Sequence, residues 1–457
     1  MNVTKNKIQL LAAALVITGG TTAFLHSRRT AAISMPRMNT RMLAAERIPI
    51  DPQQSAKTIQ CFADRVKRDP QSAINNNLLA SAYLQRCRET GDIADAQRAE
   101  ACSRRSLQIR RANNRAAYDG LARSLFTQHR FPEALTLAKA IAKSADNDPQ
   151  ALSTLVELET ETGRYDDASC DLLALRSQRD TDGPYTNALS ARLGEMRGTL
   201  DQAQRLLEAA AEKADHSTDM PRENVAWFHF RVGNIRAERG DAIGADQAYQ
   251  DALAWYPKDQ KTMLGLAKLE AGQNHWTKAI DWAEQSAAIT PTPETIALLV
   301  DCYTASGNMV KAEENRQVIE AMRQLSKAQG AIYDRQRAMY CADHNVHLDE
   351  ALSLARHELT MRKDVYAYDT LAWVCYRSGK LAEARDASAK AIATGNQDAI
   401  LFYHRGLIDA AMHDNAGARS NLSKALSLNP YFHPTGPRIA RELLQHMDTS
   451  GTTKTSS

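Results

Sequence analysis

Glycine and proline are scarce in this chain, at 21 and 14 of 457 residues. That excludes a collagen-like repeat and a Gly/Pro-rich low-complexity chain, and it argues against a sandwich of many short strands joined by tight turns. Aromatic residues are also few, at 6%. There is no excess of one charge: 57 Lys and Arg stand against 54 Asp and Glu. With 43% hydrophobic residues, near-neutrality excludes wholesale disorder. The seven cysteines are odd in number and contain no CxxC; most fall inside helical patterns, where a free Cys acts as a small apolar residue, and a large helical chain does not need disulfide staples. A Walker loop, HExxH, GxSxG and CxxCH are all missing, and glycines occur singly. The chain therefore has no ready phosphate cradle, metalloprotease helix or nucleophile elbow, and it is expected to be non-enzymatic and without a cofactor. Abundant Ala, Leu, Arg, Gln and Glu favour helix.

Charge is unevenly placed. The first 47 residues carry seven basic groups and one acid, Glu46. The net charge of +3 therefore belongs to the N-terminus and not to a nucleic-acid surface, so no nucleic-acid partner is expected. Residues 8–25 are uncharged and follow Lys5 and Lys7. A basic start and an apolar stretch of this length match a signal anchor, or a cleaved signal peptide as the alternative. No good small-x-small cleavage site follows directly.

Internal periodicity is the strongest signal. Ala96, Ala134, Ala168, Ala203, Ala245, Ala279, Ala312, Ala351, Ala384 and Ala418 recur at intervals of 33 to 42 residues, mostly near 34, each a few residues into a helical pattern. Twelve residues before these markers stand the small residues Ala122, Ala191, Gly233, Ala267, Ala372 and Gly406. A turn glycine precedes six markers by five residues, at Gly91, Gly163, Gly198, Gly240, Gly307 and Gly379. Pro257, Pro291 and Pro430 close three of the units.

This pattern resembles the tetratricopeptide repeat (TPR) family, helix–turn–helix units of about 34 residues. The resemblance implies an all-α solenoid, a right-handed superhelix of about nine or ten repeats. The chain then divides into a signal anchor or signal peptide (1–26), a linker (27–51), an N-terminal helix (52–74), the solenoid (75–430), a capping helix (431–447) and a disordered tail (448–457). The clearest inter-repeat loop is expected at 212–223.

The resemblance also implies a concave groove lined by one face of each first helix, where a protein or peptide partner binds. Projected onto that face, the candidate lining residues are Trp227, Phe230, Asn234, Tyr333, Gln336, Tyr340, Tyr366, Asp369, Trp373, Tyr376, Tyr403 and Leu407. The early units offer polar groups instead: Gln85, Asp119, Arg123, Glu157 and Arg192. Some members of the family clamp the C-terminal carboxylate of a chaperone peptide with Lys, Asn and Arg. Here Phe230 stands where a basic residue should precede Asn234, and Gly265 replaces the next Asn, so that partner class is excluded. The reading that follows is a membrane-anchored interaction scaffold at a bacterial inner membrane, facing the periplasm. An exported soluble assembly factor or co-chaperone is the alternative. A third possibility is a metal-binding or enzymatic site at Cys341, Asp343, His344 and His347. It is the weakest, because these residues sit on one helix end and one solvated turn, and no metal is expected.

Overall fold

A computed structural model of the chain describes residues 40–46, 53–144, 148–178, 182–329 and 334–452. The chain divides into two compact units, 1–47 and 48–457. In the first, the described part is one short helix, Thr40–Glu46. The expected linker therefore contains a helix, which its good helix formers Met42, Leu43, Ala44 and Ala45 support. The apolar stretch 8–25 and Tyr333 lie outside the described residues. Among the described residues, no helix is long and apolar enough to cross a membrane.

In the second unit every described regular element is an α-helix. The helix Gln54–Arg68 comes first. Ten antiparallel pairs follow: Ala73–Thr90 with Ile93–Ile109, Arg115–Thr127 with Phe131–Ser144, Pro149–Glu161 with Tyr165–Arg176, Pro184–Met196 with Leu200–Asp215, Arg222–Glu238 with Ala242–Trp255, Gln260–Gly272 with Trp276–Ile289, Pro293–Ala305 with Met309–Gln329, Asp334–Asp343 with Leu348–Met361, Val365–Arg377 with Leu381–Ile392, and Ala399–Ala411 with Asn415–Leu428. All ten marker alanines are at 0% exposure, because each sits where its own pair closes and no larger side chain fits. The small residue opposite serves the same contact. A Cβ on Gly233 would lie 2.4 Å from the Tyr249 ring.

Local chemistry starts and stops these helices. Nine begin on a Ser, Thr or Asp whose side chain accepts a first-turn amide, such as Asp364 from Tyr366 and Ala367. Every pair turns through a left-handed residue, and the turn before Leu348–Met361 has a second, His347. Six use the expected glycines, while His129, Asn274, Asn345 and His413 take the place of glycine in the other four.

The expected loop at 212–223 is shorter. The helix Leu200–Asp215 runs further because buried Asp215 accepts hydrogen bonds from Trp255 Nε1 (2.9 Å) and His229 Nε2 (2.7 Å). At the other end, the helix Gly436–Thr452 continues five residues past the expected end at 447, so 448–452 are helical and not a tail. Its Ala440, Leu443 and Leu444 pack on the last repeat and cover an apolar face that would otherwise be open.

The superhelix is wound tightly enough that successive turns touch. Thr290 Oγ1 donates to Thr90 O. The Lys363 amide donates to Thr162 O (3.1 Å) and the Val365 amide to the Tyr165 hydroxyl (3.1 Å). Asn396 Nδ2 reaches Glu195 O (3.2 Å), and Asn429 Nδ2 reaches Ala237 O (2.9 Å). In each case the helix-to-helix turn of one pair meets the chain leaving the pair five units later. Two turn glycines have no room for a side chain there: a Cβ on Gly163 would lie 2.3 Å from Lys363 O, and one on Gly198 2.0 Å from Gly395 O.

Candidate functional site

Closure of the turns encloses a lumen of about 2060 Å³. It is lined by the first helix of every pair. The helical period explains why: on Val365–Arg377 the lining residues are Tyr366, Asp369, Thr370, Trp373, Tyr376 and Arg377, spaced to share one face. Of the chain's 27 aromatic residues, 13 line this space, so rings are strongly concentrated there.

Trp227, Phe230, Tyr340, Tyr366, Asp369, Trp373, Tyr376 and Tyr403 all line this one lumen, as do Asn234, Gln336 and Leu407. Of the early polar candidates, Arg123, Glu157 and Arg192 line it, and Gln85 and Asp119 do not. At the C-terminal end the rings form a continuous cluster. The Trp373 ring is sandwiched between Tyr376 (5.2 Å between centroids) and His404 (4.2 Å). Tyr403 adjoins Phe432 at 5.1 Å, and Tyr340 packs on His344 at 4.4 Å. Trp373 Nε1 donates to Asp343 Oδ1 (2.7 Å), and His404 Nδ1 faces both oxygens of Asp369 at 3.0 Å. Trp373 is thus packed and lumen-facing together, with 6% of its surface exposed. Tyr340 and Tyr376 are half-buried.

Electrostatics divide the lumen. Burial pushes Asp301 up to about 7, and the Asp343 carboxylate adds to this against Arg316. Burial, aided by Arg316 and Arg377, lowers His344 to about 4, so its imidazole is neutral at pH 7. Further along, Arg192 bridges Glu161 (2.7 Å) and Glu195 (3.1 Å). Burial would raise Glu161, but Arg192, with Arg362 and Arg231, outweighs it and brings the carboxyl down to about 2. Glu238 has the opposite fate. Burial and the like charges of Glu195 and Asp398 push it up to about 8, despite Arg192 and Arg231.

These mid-lumen carboxylates, with Arg231 and Arg335, went unselected in the sequence. Their signal was available, since Trp227, Arg231, Asn234 and Glu238 repeat on one helical face. Phe432 and His433 carried none, because they lie in the connection after the last repeat. The Cys341 group does not assemble. Cys341 is buried in the core, His344 faces Asp301 at 3.5 Å, and His347 faces Glu320 at 3.5 Å. Among the described residues no three His, Cys, Asp or Glu side chains converge as a ligand set.

Ten consecutive pairs, each burying one alanine completely and presenting its first helix to a shared lumen, decide the architecture. The fold is a tetratricopeptide-type solenoid. No protein-family model and no curated protein matches the sequence. Among solved structures, the tetratricopeptide-type solenoid is similar to the human IFIT1 dimer with PPP-AAAA, at 12% identity and TM-score 0.44, over 83% of this chain and 95% of that one. It is also similar to a tetratricopeptide repeat protein from Parabacteroides merdae, at 19% identity and TM-score 0.33, over 58% and 98%. A third is pilF of Pseudomonas aeruginosa, at 12% identity and TM-score 0.37, over 50% and 97%. These likenesses concern the fold alone.

Proposed function

We propose that this protein is a non-enzymatic interaction scaffold whose lumen holds an extended segment of a protein partner. The aromatic lining of the lumen carries the reading. Its volume of about 2060 Å³ exceeds the ~300–1,000 Å³ usual for small-molecule sites, which suits a chain segment better than a metabolite. Half-buried Tyr340 and Tyr376 offer large contact area at little rotamer cost, with hydroxyls to orient a peptide backbone. A photo-crosslinking residue in place of Tyr376 tests this directly. Crosslinks from position 376 to an extended partner segment are expected. If partners crosslink only from positions on the outer, second helices, the lumen is not the site.

The second part of the proposal is location. The uncharged run 8–25 behind Lys5 and Lys7 supports attachment to a membrane, at the inner membrane of a bacterium with the solenoid in the periplasm. Retention in the membrane fraction through a carbonate wash is expected. Release with an N-terminus starting beyond residue 25 means an exported soluble factor instead.

A further inference from the structure

We propose that the segment held in the lumen is a basic one, with a Lys or Arg side chain engaging the carboxylates of Glu238 and Asp398. This rests on the lumen reading above and names the chemistry of the occupant.

The lining has ten Asp and Glu against eight Lys and Arg. At mid-lumen the three guanidiniums are already committed. Arg192 is held by Glu161 and Glu195, Arg231 by both oxygens of Glu195 (2.7 and 2.8 Å), and Arg335 by Glu358 and Asp364 (2.8 Å each). Among the described residues, no hydrogen bond or ion pair reaches the Glu238 carboxylate, although it lines the same stretch. Asp398 accepts the Ile400 amide (3.1 Å) and interacts with Tyr366, and among the described residues it is in no ion pair. Two carboxylates with no ion-pair partner share a stretch walled by Tyr366 and Tyr249, and Arg192 and Arg231 offset the burial of Glu238 only in part. Such local violations are expected where a ligand supplies the missing partner. A guanidinium or ammonium on an extended peptide supplies it, and its apolar neighbours cover the rings of Trp227, Tyr340 and Tyr376.

The groups facing Glu238 are Arg231 on its own helix, and Arg192, Glu195, Tyr249, Tyr366 and Asp398 from neighbouring ones. With its carboxyl pushed up to about 8, Glu238 holds a proton near pH 7. A bound cation displaces that proton, so binding releases protons and tightens as pH rises from about 7 to 9.

The test is fluorescence anisotropy on the full chain with three labelled peptides, identical except for two positions carrying Arg, Gln or Glu. The Arg peptide is expected to bind at least about tenfold tighter than the Gln peptide. Glu238→Gln and Asp398→Asn, the latter keeping the helix cap, should each remove most of that preference while the helical circular dichroism stays that of the parent. Calorimetry in two buffers of different ionisation enthalpy should record proton release for the Arg peptide, lost in Glu238→Gln. Equal affinity for the Arg and Gln peptides, or preference for Glu, overturns the inference and leaves the lumen reading standing. Failure of all three to bind, with crosslinks confined to the outer helices, overturns both.

Discussion

Replacing Gly163 by alanine tests whether successive turns of the superhelix are joined by the contacts described above. Gly163 has φ +79°, and a Cβ there would lie 2.3 Å from Lys363 O and 2.8 Å from the Asp364 amide nitrogen. Gly379 is the natural control, since it has φ +73° at the equivalent turn of another pair and nothing within 4 Å of its added Cβ. Both substitutions carry the cost of a left-handed alanine, roughly 1–2 kcal/mol. Only Gly163→Ala also forces the turns apart. Two bonds are then lost, Lys363 N to Thr162 O and Val365 N to the Tyr165 hydroxyl. At about 0.5–1.5 kcal/mol each, the extra cost is about 1–3 kcal/mol. Native-state hydrogen exchange reads this locally at the two donor amides. Lys363 and Val365 should exchange roughly 5- to 150-fold faster in Gly163→Ala than in Gly379→Ala. Identical protection of these amides in the two variants, with identical melting temperatures, refutes the joined-turn geometry.

Other expectations follow from the packing and charges. Trp373→Ala should cost about 3–5 kcal/mol of stability, because the ring is sandwiched and nearly buried; half-buried Tyr376→Ala should cost clearly less and lose partner capture, as thermal melts beside a pull-down would register. Asp215→Ala removes the acceptor of the Trp255 and His229 hydrogen bonds in the core, and should cost about 1–3 kcal/mol for each with a shift in tryptophan emission; unchanged melting and emission count against the hydrogen bonds. Ala245→Trp should overpack the contact with Tyr249 and Leu266 by about 1–3 kcal/mol or more, so an unaltered melting curve means the helix register is wrong. Glu238, raised to about 8, binds more protons folded than unfolded between its ordinary pKa and that value. Its contribution is therefore fully present below about 4.5 and lost as pH rises through about 8. Melting temperature across that window should fall less steeply in Glu238→Gln than in the parent, and a steeper fall contradicts the assignment.

The repeat architecture was legible because it rests on residues whose type is dictated locally. The closest contact within each pair is filled by an alanine at 0% exposure, so ten marker alanines print the period directly into the sequence. The lumen face was partly legible for the same reason, since rings at three- and four-residue spacing on Val365–Arg377 mark one side of a helix. What lay beyond reach depends on distant parts of the chain. Gly163 reads as a helix terminator and is one, but its approach to Lys363 is set by the pitch of five intervening pairs. Glu238 becomes unusual through its burial and the carboxylates of Glu195 and Asp398, the latter brought close by the same winding. Trp373 shows why a projected face does not by itself separate anchor from core: one ring fills both places. Asp215 looked like loop because two donors that hold it arrive from later helices.

The contact between each turn and the pair five units on also couples repeat number to winding. In an open array a repeat can be inserted or deleted at the expense of two local interfaces, which is how such proteins change length. Here, deleting one internal pair would slide every later loop against the wrong partner: the slot at Gly163 would meet the chain after the wrong pair, and so would the one at Gly198. The damage would spread to both neighbouring coils rather than stay at the cut. Length changes compatible with this geometry are those made at the two ends, beyond the last stitched loop, so variants shortened or extended at a terminus should retain the lumen that internal indels destroy.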